Sequence, residues 1–181
     1  HVALAYAWSG NYAEAERRYA ELLARWPRDH EIRIDYGQTL AWDRKLTEAR
    51  REYQQVLNEK PGHVEALRHL AMLTAWEGQY DEALRLLGQA EKQAPKNVRV
   101  LLAKGEILSW KGAMADATQT LRSALKLSPN NGAIWLQLGQ VLLWQGKARD
   151  AVEAYQRAVV LLPDDIEAHL GLSRAYRDNR Q

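Results

Sequence analysis

The sequence contains no cysteine, which excludes disulfide bonds, thiolate metal sites and a cysteine nucleophile. It also lacks a long apolar run, because the longest aliphatic stretch, AVVLLP after Arg157, is far shorter than the roughly 20 residues that span a bilayer. Neither sign of charge is in excess: lysine plus arginine (25) nearly cancels aspartate plus glutamate (23). We therefore predict no membrane segment and no nucleic-acid partner. The lack of cysteine fits either the cytoplasm or the periplasm.

Motifs of catalysis and of cofactor binding are missing as well. The sequence has no HExxH, GxGxxG, Walker loop or nucleophile elbow. Glu65 and His69 are four residues apart, which is more simply a surface helix pair than an acid–base dyad. We predict a non-catalytic chain that binds no metal and no cofactor. The histidines form no pair spaced four apart: they are His1, His30, His63, His69 and His169.

What the sequence does contain is a repeat of 34 residues. Such a period predicts stacked copies of one structural unit. Tryptophan recurs as Trp8, Trp42, Trp76, Trp110 and Trp144, proline as Pro27, Pro61, Pro95, Pro129 and Pro163, and alanine as Ala15, Ala49, Ala83, Ala117 and Ala151. Small residues recur as Ala3, Gly37, Ala71, Gly105, Gly139 and Ser173, and large apolar ones as Tyr19, Tyr53, Leu87, Leu121 and Tyr155.

Each repeat predicts a helical hairpin. Apolar residues from Ile134 to Leu142 follow helical spacing, and a second apolar stripe of the same period starts at Ala151. The proline ends the second helix, which it cannot continue. Short polar side chains two residues after proline are placed to cap the first helix, namely Asp29, Asn97, Asn131 and Asp165, with His63 as a weaker fifth case. Acidic residues open the second helix: Glu14, Glu48, Glu82, Asp116 and Asp150.

This pattern resembles the tetratricopeptide repeat. The resemblance covers the whole chain and implies an all-α fold, a right-handed superhelical solenoid of antiparallel helix pairs. The best match is WLQLGQVLLWQGKARDAVEAYQRAVVLLP, in which Trp135, Leu138, Gly139, Leu142, Ala151, Tyr155 and Pro163 stand at the family's positions.

The resemblance also divides the chain, which we predict to be a single array over 1–181. Because the sequence begins in mid-pattern without methionine, we interpret it as a fragment of a longer protein. Residues 1–29 are a truncated first repeat, 30–63, 64–97, 98–131 and 132–165 are repeats two to five, and 166–181 are the first helix of a sixth repeat or a cap.

Two positions lead to expectations about backbone geometry. Arg44 stands where the other repeats have glycine, so we expect its turn to be either reshaped or, if that turn requires a positive φ, strained by about 1 kcal/mol. Gly139 belongs to the small-residue position, and we expect it to let the first helix approach Ala151 of the second helix closely.

Helical geometry places the repeated tryptophans away from the hairpin core. At about 100° per residue, Trp42 lies roughly 200° around its helix from Leu40 but only about 40° from Gln38. In the tetratricopeptide family the stripe on this side lines a concave groove. The resemblance therefore implies a binding groove that contains Trp8, Trp42, Trp76, Trp110, Trp144, Asp35, Gln38, Arg68, His69, Met72, Glu106 and Gln140.

Two interpretations of the repeated indoles stay open, and both can hold at once. In the first, each indole closes the gap between consecutive first helices and stiffens the stack. In the second, the indole faces are partly open and form a row of stacking platforms for a glycan chain or a peptide. Outside this row, packing explains Trp135, and Trp26 makes a local contact beside Pro27.

The resemblance implies a protein–protein interaction scaffold that binds a protein or peptide in the concave groove. The AWxG…EA phrasing is similar to repeats of bacterial exopolysaccharide export proteins of the cellulose, Pel and poly-N-acetylglucosamine systems. That similarity implies the periplasmic arm of such a protein. Two alternatives stay open: direct polysaccharide binding along the tryptophans, and a cytoplasmic regulatory array.

Overall fold

The computed structural model describes residues 2–180, and the regular structure in that range is entirely α-helical. This confirms the predicted all-α class. The helices are α1 (Val2–Trp8), α2 (Tyr12–Arg25), α3 (His30–Trp42), α4 (Leu46–Glu59), α5 (Val64–Trp76), α6 (Tyr80–Gln93), α7 (Val98–Trp110), α8 (Met114–Leu127), α9 (Gly132–Trp144), α10 (Ala148–Leu161) and α11 (Ile166–Asp178).

The helices form two compact units. Unit one ends at Gln93 and contains α1 to α6, and unit two begins at Ala94 and contains α7 to α11. In unit one, α1 packs on α2, α3 on α4 and α5 on α6, while α3 also contacts both α1 and α5. In unit two, α7 packs on α8 and α9 on α10, while α9 also contacts both α7 and α11. Within each unit the odd-numbered helices, here called first helices, form one layer, and the even-numbered second helices form the other.

The core of each unit is built from the repeated positions. The periodic alanines are 0% exposed, both in unit one (Ala15, Ala49, Ala83) and in unit two (Ala117, Ala151). One turn later in the second helix, the large apolar residues Tyr19, Tyr53, Leu87, Leu121 and Tyr155 are also buried. The alanine and the large side chain one turn later on the second helix are both enclosed, so together they set the distance between the two helix layers.

The small residues of the first helices lie against these large side chains. A Cβ built on Gly139 would lie 2.9 Å from the ring of Tyr155, and a Cβ on Gly105 would lie 2.6 Å from Leu121. The nearest atoms to Gly139 thus belong to Tyr155 and not to Ala151, the neighbour we expected. The reason is that the tyrosine, one turn further along α10, extends its ring across the gap to α9.

The predicted caps are present at the first helices. Asp29, Asn97 and Asn131 each accept hydrogen bonds from two backbone amides, and Asp165 accepts one from the amide of Ala168. His63 makes no capping hydrogen bond with its side chain, in agreement with the prediction that it is the weakest of the five caps. The second helices begin with the predicted acidic residues in their first turns.

The turn inside each hairpin requires the left-handed backbone conformation. Gly10, Gly78, Gly112 and Gly146 have φ angles of 78°, 80°, 86° and 70°, and Arg44 has φ of 64° at the same repeat position. The turn at Arg44 is therefore not reshaped: it has the positive φ from which strain is expected, since a residue with a Cβ is disfavoured there.

A recurrent hydrogen bond ties three of the first helices to the turn before them. The acceptor is the proline carbonyl, and the donor is the side chain six residues later. In the two repeats without this bond, the donor position holds the buried residues Leu67 and Leu101. Arg33 Nη2 donates to Pro27 O at 2.8 Å, Trp135 Nε1 to Pro129 O at 2.7 Å, and His169 Nε2 to Pro163 O at 2.8 Å.

Candidate functional site

The repeated tryptophans are the last residues of α1, α3, α5, α7 and α9. Their exposures are 72% for Trp8, 37% for Trp42, 53% for Trp76, 37% for Trp110 and 50% for Trp144. The indoles are therefore partly open to solvent, as the second interpretation predicts, while closure of the gap between first helices by the covered part of each ring stays a prediction. The chain turns directly after the tryptophan, so no further helical turn exists to cover the ring.

Trp26 is another exposed indole, but it ends a second helix. It is 49% exposed at the C-cap of α2. The guanidinium carbon of Arg25 lies 5.2 Å from its ring centroid, within the range of a cation–π contact. Trp26 therefore offers an indole of similar exposure to Trp144 at a different place in the hairpin.

In unit one, α3 places Asp35 and Gln38 half-buried on the first-helix layer. Burial, followed by the negative charge of Glu31, raises the pKa of the Asp35 carboxyl. Burial, followed by the charge of Asp35, raises the pKa of the Tyr19 hydroxyl to about 12. Tyr19 also stacks on Tyr36, with ring centroids 5.7 Å apart. Asp35 is thus a partly dehydrated carboxylate beside a tyrosine pair.

The predicted residues of α5 interact with their neighbours in unit one. Arg68 Nη2 donates to Glu65 at 2.8 Å and lies 2.7 Å from His69 Nε2. The His69 ring stacks on Tyr53, with centroids 5.2 Å apart and ring planes at 17°. Met72 is half-buried on the same helix. The structure therefore brings Arg68 and His69 together, and Glu65 partly neutralises the charge of Arg68.

In unit two, two predicted residues line one cavity between α9 and α11. They are Gln140 and Trp144, and the cavity has a volume of about 320 Å³. Glu106 is half-buried on α7. We call the cavity the α9–α11 groove; it is lined by Leu136, Gln137, Gln140, Leu143, Trp144, Tyr155, Glu167, Gly171, Arg174, Arg177 and Asp178.

Tyr155 forms the floor of the α9–α11 groove. Its ring lies between Gly139 of α9 and Gly171 of α11, and any Cβ at either glycine would collide with it. Burial raises the pKa of the Tyr155 hydroxyl to about 12, although the nearby positive charge of Arg174 acts in the opposite direction. The tyrosine therefore stays neutral near pH 7 and can both donate and accept hydrogen bonds.

The walls of the groove combine three kinds of chemistry. The α9 wall has apolar surface from Leu136, Leu143 and Trp144 and neutral amides from Gln137 and Gln140. The α11 wall carries charged groups of both signs: Glu167, Arg174, Arg177 and Asp178. Arg177 Nε lies 3.6 Å from Asp178 Oδ1. Such a lining can hold an elongated ligand that has both apolar and hydrogen-bonding groups.

Sequence reasoning missed the α11 wall and the tyrosine floor. The predicted groove contains neither Tyr155, one of the recurring large apolar residues, nor Glu167, Arg174, Arg177 and Asp178. Two signals point to them: Arg174 and Asp178 lie 34 residues after Gln140 and Trp144, and glycine at both 139 and 171 flanks a tyrosine in the intervening helix. Among residues 2–180, no group of three or more histidine, aspartate or glutamate side chains is arranged to hold a metal ion. None of the helices described in this range has the length and hydropathy to cross a membrane.

Comparison with known proteins agrees with this geometry. The family model for the tetratricopeptide repeat matches residues 9–73, 40–107, 74–124 and 111–174. The structure is similar to the thermophilic tetratricopeptide protein TTC0263 from Thermus thermophilus, with 20% identity over 97% of this chain and 96% of that one and a TM-score of 0.86. No curated protein matches the sequence at a significant level.

Two further solved structures share the fold at low identity. The MamA protein has 23% identity over 83% of this chain and 82% of that one, with a TM-score of 0.66. YrrB, described as a tetratricopeptide protein with an unusual peptide-binding site, has 15% identity over 94% of this chain and 88% of that one, with a TM-score of 0.65. Since the matched family segments together extend from residue 9 to residue 174, the chain belongs to the tetratricopeptide repeat family.

Proposed function

We propose that the protein is a non-catalytic interaction scaffold that binds an extended segment of a partner protein in the α9–α11 groove. The observation that supports this most is the half-exposed indole of Trp144 beside the amides of Gln137 and Gln140 in one cavity of about 320 Å³. Pockets of roughly 300–1,000 Å³ that combine an apolar surface with a few polar groups are typical ligand sites.

The groove chemistry suits a peptide in an extended conformation. The glutamine amides can donate to and accept from peptide groups that are otherwise left without partners. The indole of Trp144 offers a large rigid surface to an apolar side chain, and tryptophan is enriched among residues that dominate binding energy. Arg174 can pair with a carboxylate of the ligand. The peptide-binding site named for YrrB supports the choice of ligand, at the level of a shared fold.

We infer further that the protein is the periplasmic arm of a bacterial exopolysaccharide synthesis or export protein. This rests on the similarity of the AWxG…EA phrasing to such repeats; the lack of cysteine is compatible with it but fits the cytoplasm equally well. A fusion of a periplasm-specific reporter to the native protein tests the compartment. Reporter activity only on the cytoplasmic side contradicts the inference and favours a cytoplasmic regulatory array.

Direct polysaccharide binding is the second candidate, and the open indoles favour it. An exposed indole face is a stacking platform, and Trp144 has amide and carboxylate groups around it that can bond to hydroxyls. A titration of the full chain with cello-oligosaccharide or with oligomers of N-acetylglucosamine, followed by tryptophan fluorescence, separates the two. Unchanged emission at millimolar sugar removes this candidate.

Peptide binding is tested with a displayed library of random peptides selected on the full chain. We expect selected peptides to bind Trp144→Ala and Gln140→Ala at least about tenfold more weakly, which corresponds to about 1.4 kcal/mol. Trp26→Ala is the matched control, because Trp26 is 49% exposed and Trp144 is 50% exposed. Peptides whose affinity is the same for wild type and Trp144→Ala contradict the proposal.

A further inference from the structure

A second groove in unit two lies between the second helices α8 and α10. It has a volume of about 520 Å³ and shares no lining residue with the α9–α11 groove. We call it the α8–α10 groove. Its floor consists of Leu125, Trp135, Leu138, Leu142 and Ala154. Four of these are buried, and the indole of Trp135, half-buried, is fixed by its hydrogen bond to Pro129 O at 2.7 Å.

The two walls of the α8–α10 groove have opposite charges. Arg122 and Lys126 stand one turn apart on α8, and Asp150 and Glu153 stand on α10. All of these side chains are exposed, and within residues 2–180 none of them forms a salt bridge. The basic wall continues into an adjoining cavity that Lys147 lines together with Arg122 and Lys126. An apolar floor therefore separates an unpaired basic wall from an unpaired acidic one.

Repeat two shows how the same place is filled elsewhere in the chain. The positions of Trp135 and Ala154 correspond there to Arg33 and Glu52. Arg33 Nη1 donates to Glu52 at 2.6 Å and to Gln55 at 3.0 Å, and the two ion-pair side chains are only 10% and 16% exposed. In unit two an indole and a methyl group stand at the two positions where repeat two has this ion pair, so the floor of the α8–α10 groove is apolar there.

The acidic wall is also particular to this repeat. In repeat one, Arg17 bonds to Glu14 at 2.7 Å, and in repeat three Arg85 makes the equivalent pair with Glu82. In α10 the residue that corresponds to Arg17 and Arg85 is Glu153, and it lies three residues after Asp150. Like charges three residues apart on a helix repel each other. A basic group supplied by a partner relieves that repulsion.

From these observations we propose that the α8–α10 groove binds an amphipathic helix of a partner protein. The floor from Trp135 to Leu142 extends about 10 Å, or two helical turns, so it accommodates apolar side chains spaced one turn apart. Acidic side chains on one flank of the bound helix face Arg122 and Lys126, and basic side chains on its other flank face Asp150 and Glu153. This surface is independent of the α9–α11 groove and goes beyond the proposed peptide function.

The test uses two helical peptides of identical composition on the full chain. Each has leucines one turn apart, with glutamates along one flank and lysines along the other, and the second peptide has the two flanks exchanged. Fluorescence anisotropy gives the dissociation constants. We expect the peptide with the complementary flanks to bind at least about fivefold more tightly. Equal affinity for the two peptides, or no binding of either, overturns the proposal.

Variants locate the binding on the protein. Ala154→Glu introduces the side chain that occupies this position in repeat two, and it should weaken binding about tenfold or more, a change of about 1.4 kcal/mol. Glu153→Arg introduces the arginine that repeats one to three have at this position. Because Glu153 is exposed, the substitution does not disturb the core. It should weaken binding and reduce the preference for one peptide over the other. Trp144→Ala should leave the affinity unchanged. Undiminished binding to folded Glu153→Arg, or loss of binding in Trp144→Ala, contradicts the assignment.

Discussion

The ring of Tyr53 occupies the space beside Gly37 of α3: a Cβ at Gly37 would lie 2.6 Å from Tyr53 Cε1. Tyr53 is 1% exposed, and burial raises the pKa of its hydroxyl. Its ring also stacks on His69. Because the ring is enclosed from both first helices, it has no free direction in which to move.

Gly37→Ala should therefore destabilise the protein. Overpacking of a filled core costs about 1–3 kcal/mol, and the better helix propensity of alanine offsets about 1 kcal/mol of this. We expect a net loss of up to about 2 kcal/mol in urea denaturation. Gly88→Ala in α6 is the control, because a Cβ there meets no atom within 4 Å, and it should stabilise by about 0.5–1 kcal/mol. Equal effects of the two substitutions would contradict the packing argument.

Arg44→Gly should stabilise unit one. The arginine has φ of 64°, and glycine at this backbone conformation is more stable by about 1–2 kcal/mol because it has no Cβ. The greater conformational freedom of glycine in the unfolded state opposes this by about 0.5–1 kcal/mol. The expected gain is about 0.5–1 kcal/mol, measured as a raised denaturation midpoint with an unchanged slope. Gly78 has φ of 80° at the corresponding turn, so Gly78→Arg should lower the denaturation midpoint.

Arg33→Ala should destabilise the protein strongly, because Arg33 is a buried charged residue. It leaves the half-buried Glu52 without its partner and removes the hydrogen bond to Pro27 O. Losses of about 2–3 kcal/mol are typical when a shielded, charge-assisted pair is broken. Arg85→Ala breaks an exposed pair with Glu82, so its effect should be clearly smaller. Thermal unfolding of both variants under the same salt conditions makes the comparison.

Histidine 63 should make stability depend on pH. Burial lowers the pKa of His63, and the charges of Lys60 and His30 act in the same direction against Glu31; its Nδ1 is buried without a hydrogen-bond partner. The folded state therefore binds a proton less readily than the unfolded state. Stability should fall as pH decreases below about 6.5, the value of a free histidine.

His63→Asn supplies the capping side chain found at Asn97 and Asn131. It should add about 1 kcal/mol of stability near pH 7 and reduce the decline between neutral and mildly acidic pH. Parallel urea titrations of wild type and variant at several pH values measure both effects. A pH slope that the substitution leaves unchanged would assign the dependence to other groups.

The parts of the fold that depend on local sequence were predictable. The caps at Asp29 and Asn131 could be predicted because a short polar side chain follows proline at a fixed interval. The positive φ of Arg44 could be predicted because the equivalent position is glycine in four other repeats. The openness of Trp144 was not predictable, since it depends on where α9 ends and how α11 packs beside it. Arg174 stands one period after Gln140, and Asp178 one period after Trp144, so the period does point to α11. The change from an amide and an indole to charged side chains is what hides this match in the sequence. The division into repeats at the predicted boundaries stays a prediction.

The hydrogen bond to the proline carbonyl shows that three repeats share a donor and not a residue, whereas two others have leucine at that position. Arginine, tryptophan and histidine are scored as unrelated in a comparison of sequences, yet Arg33, Trp135 and His169 each deliver an N–H to the same acceptor. Chemical equivalence at such a position is invisible to identity and visible only in three dimensions. Repeats can therefore diverge there in size and charge, and acquire surfaces of their own, while the turn keeps the same geometry.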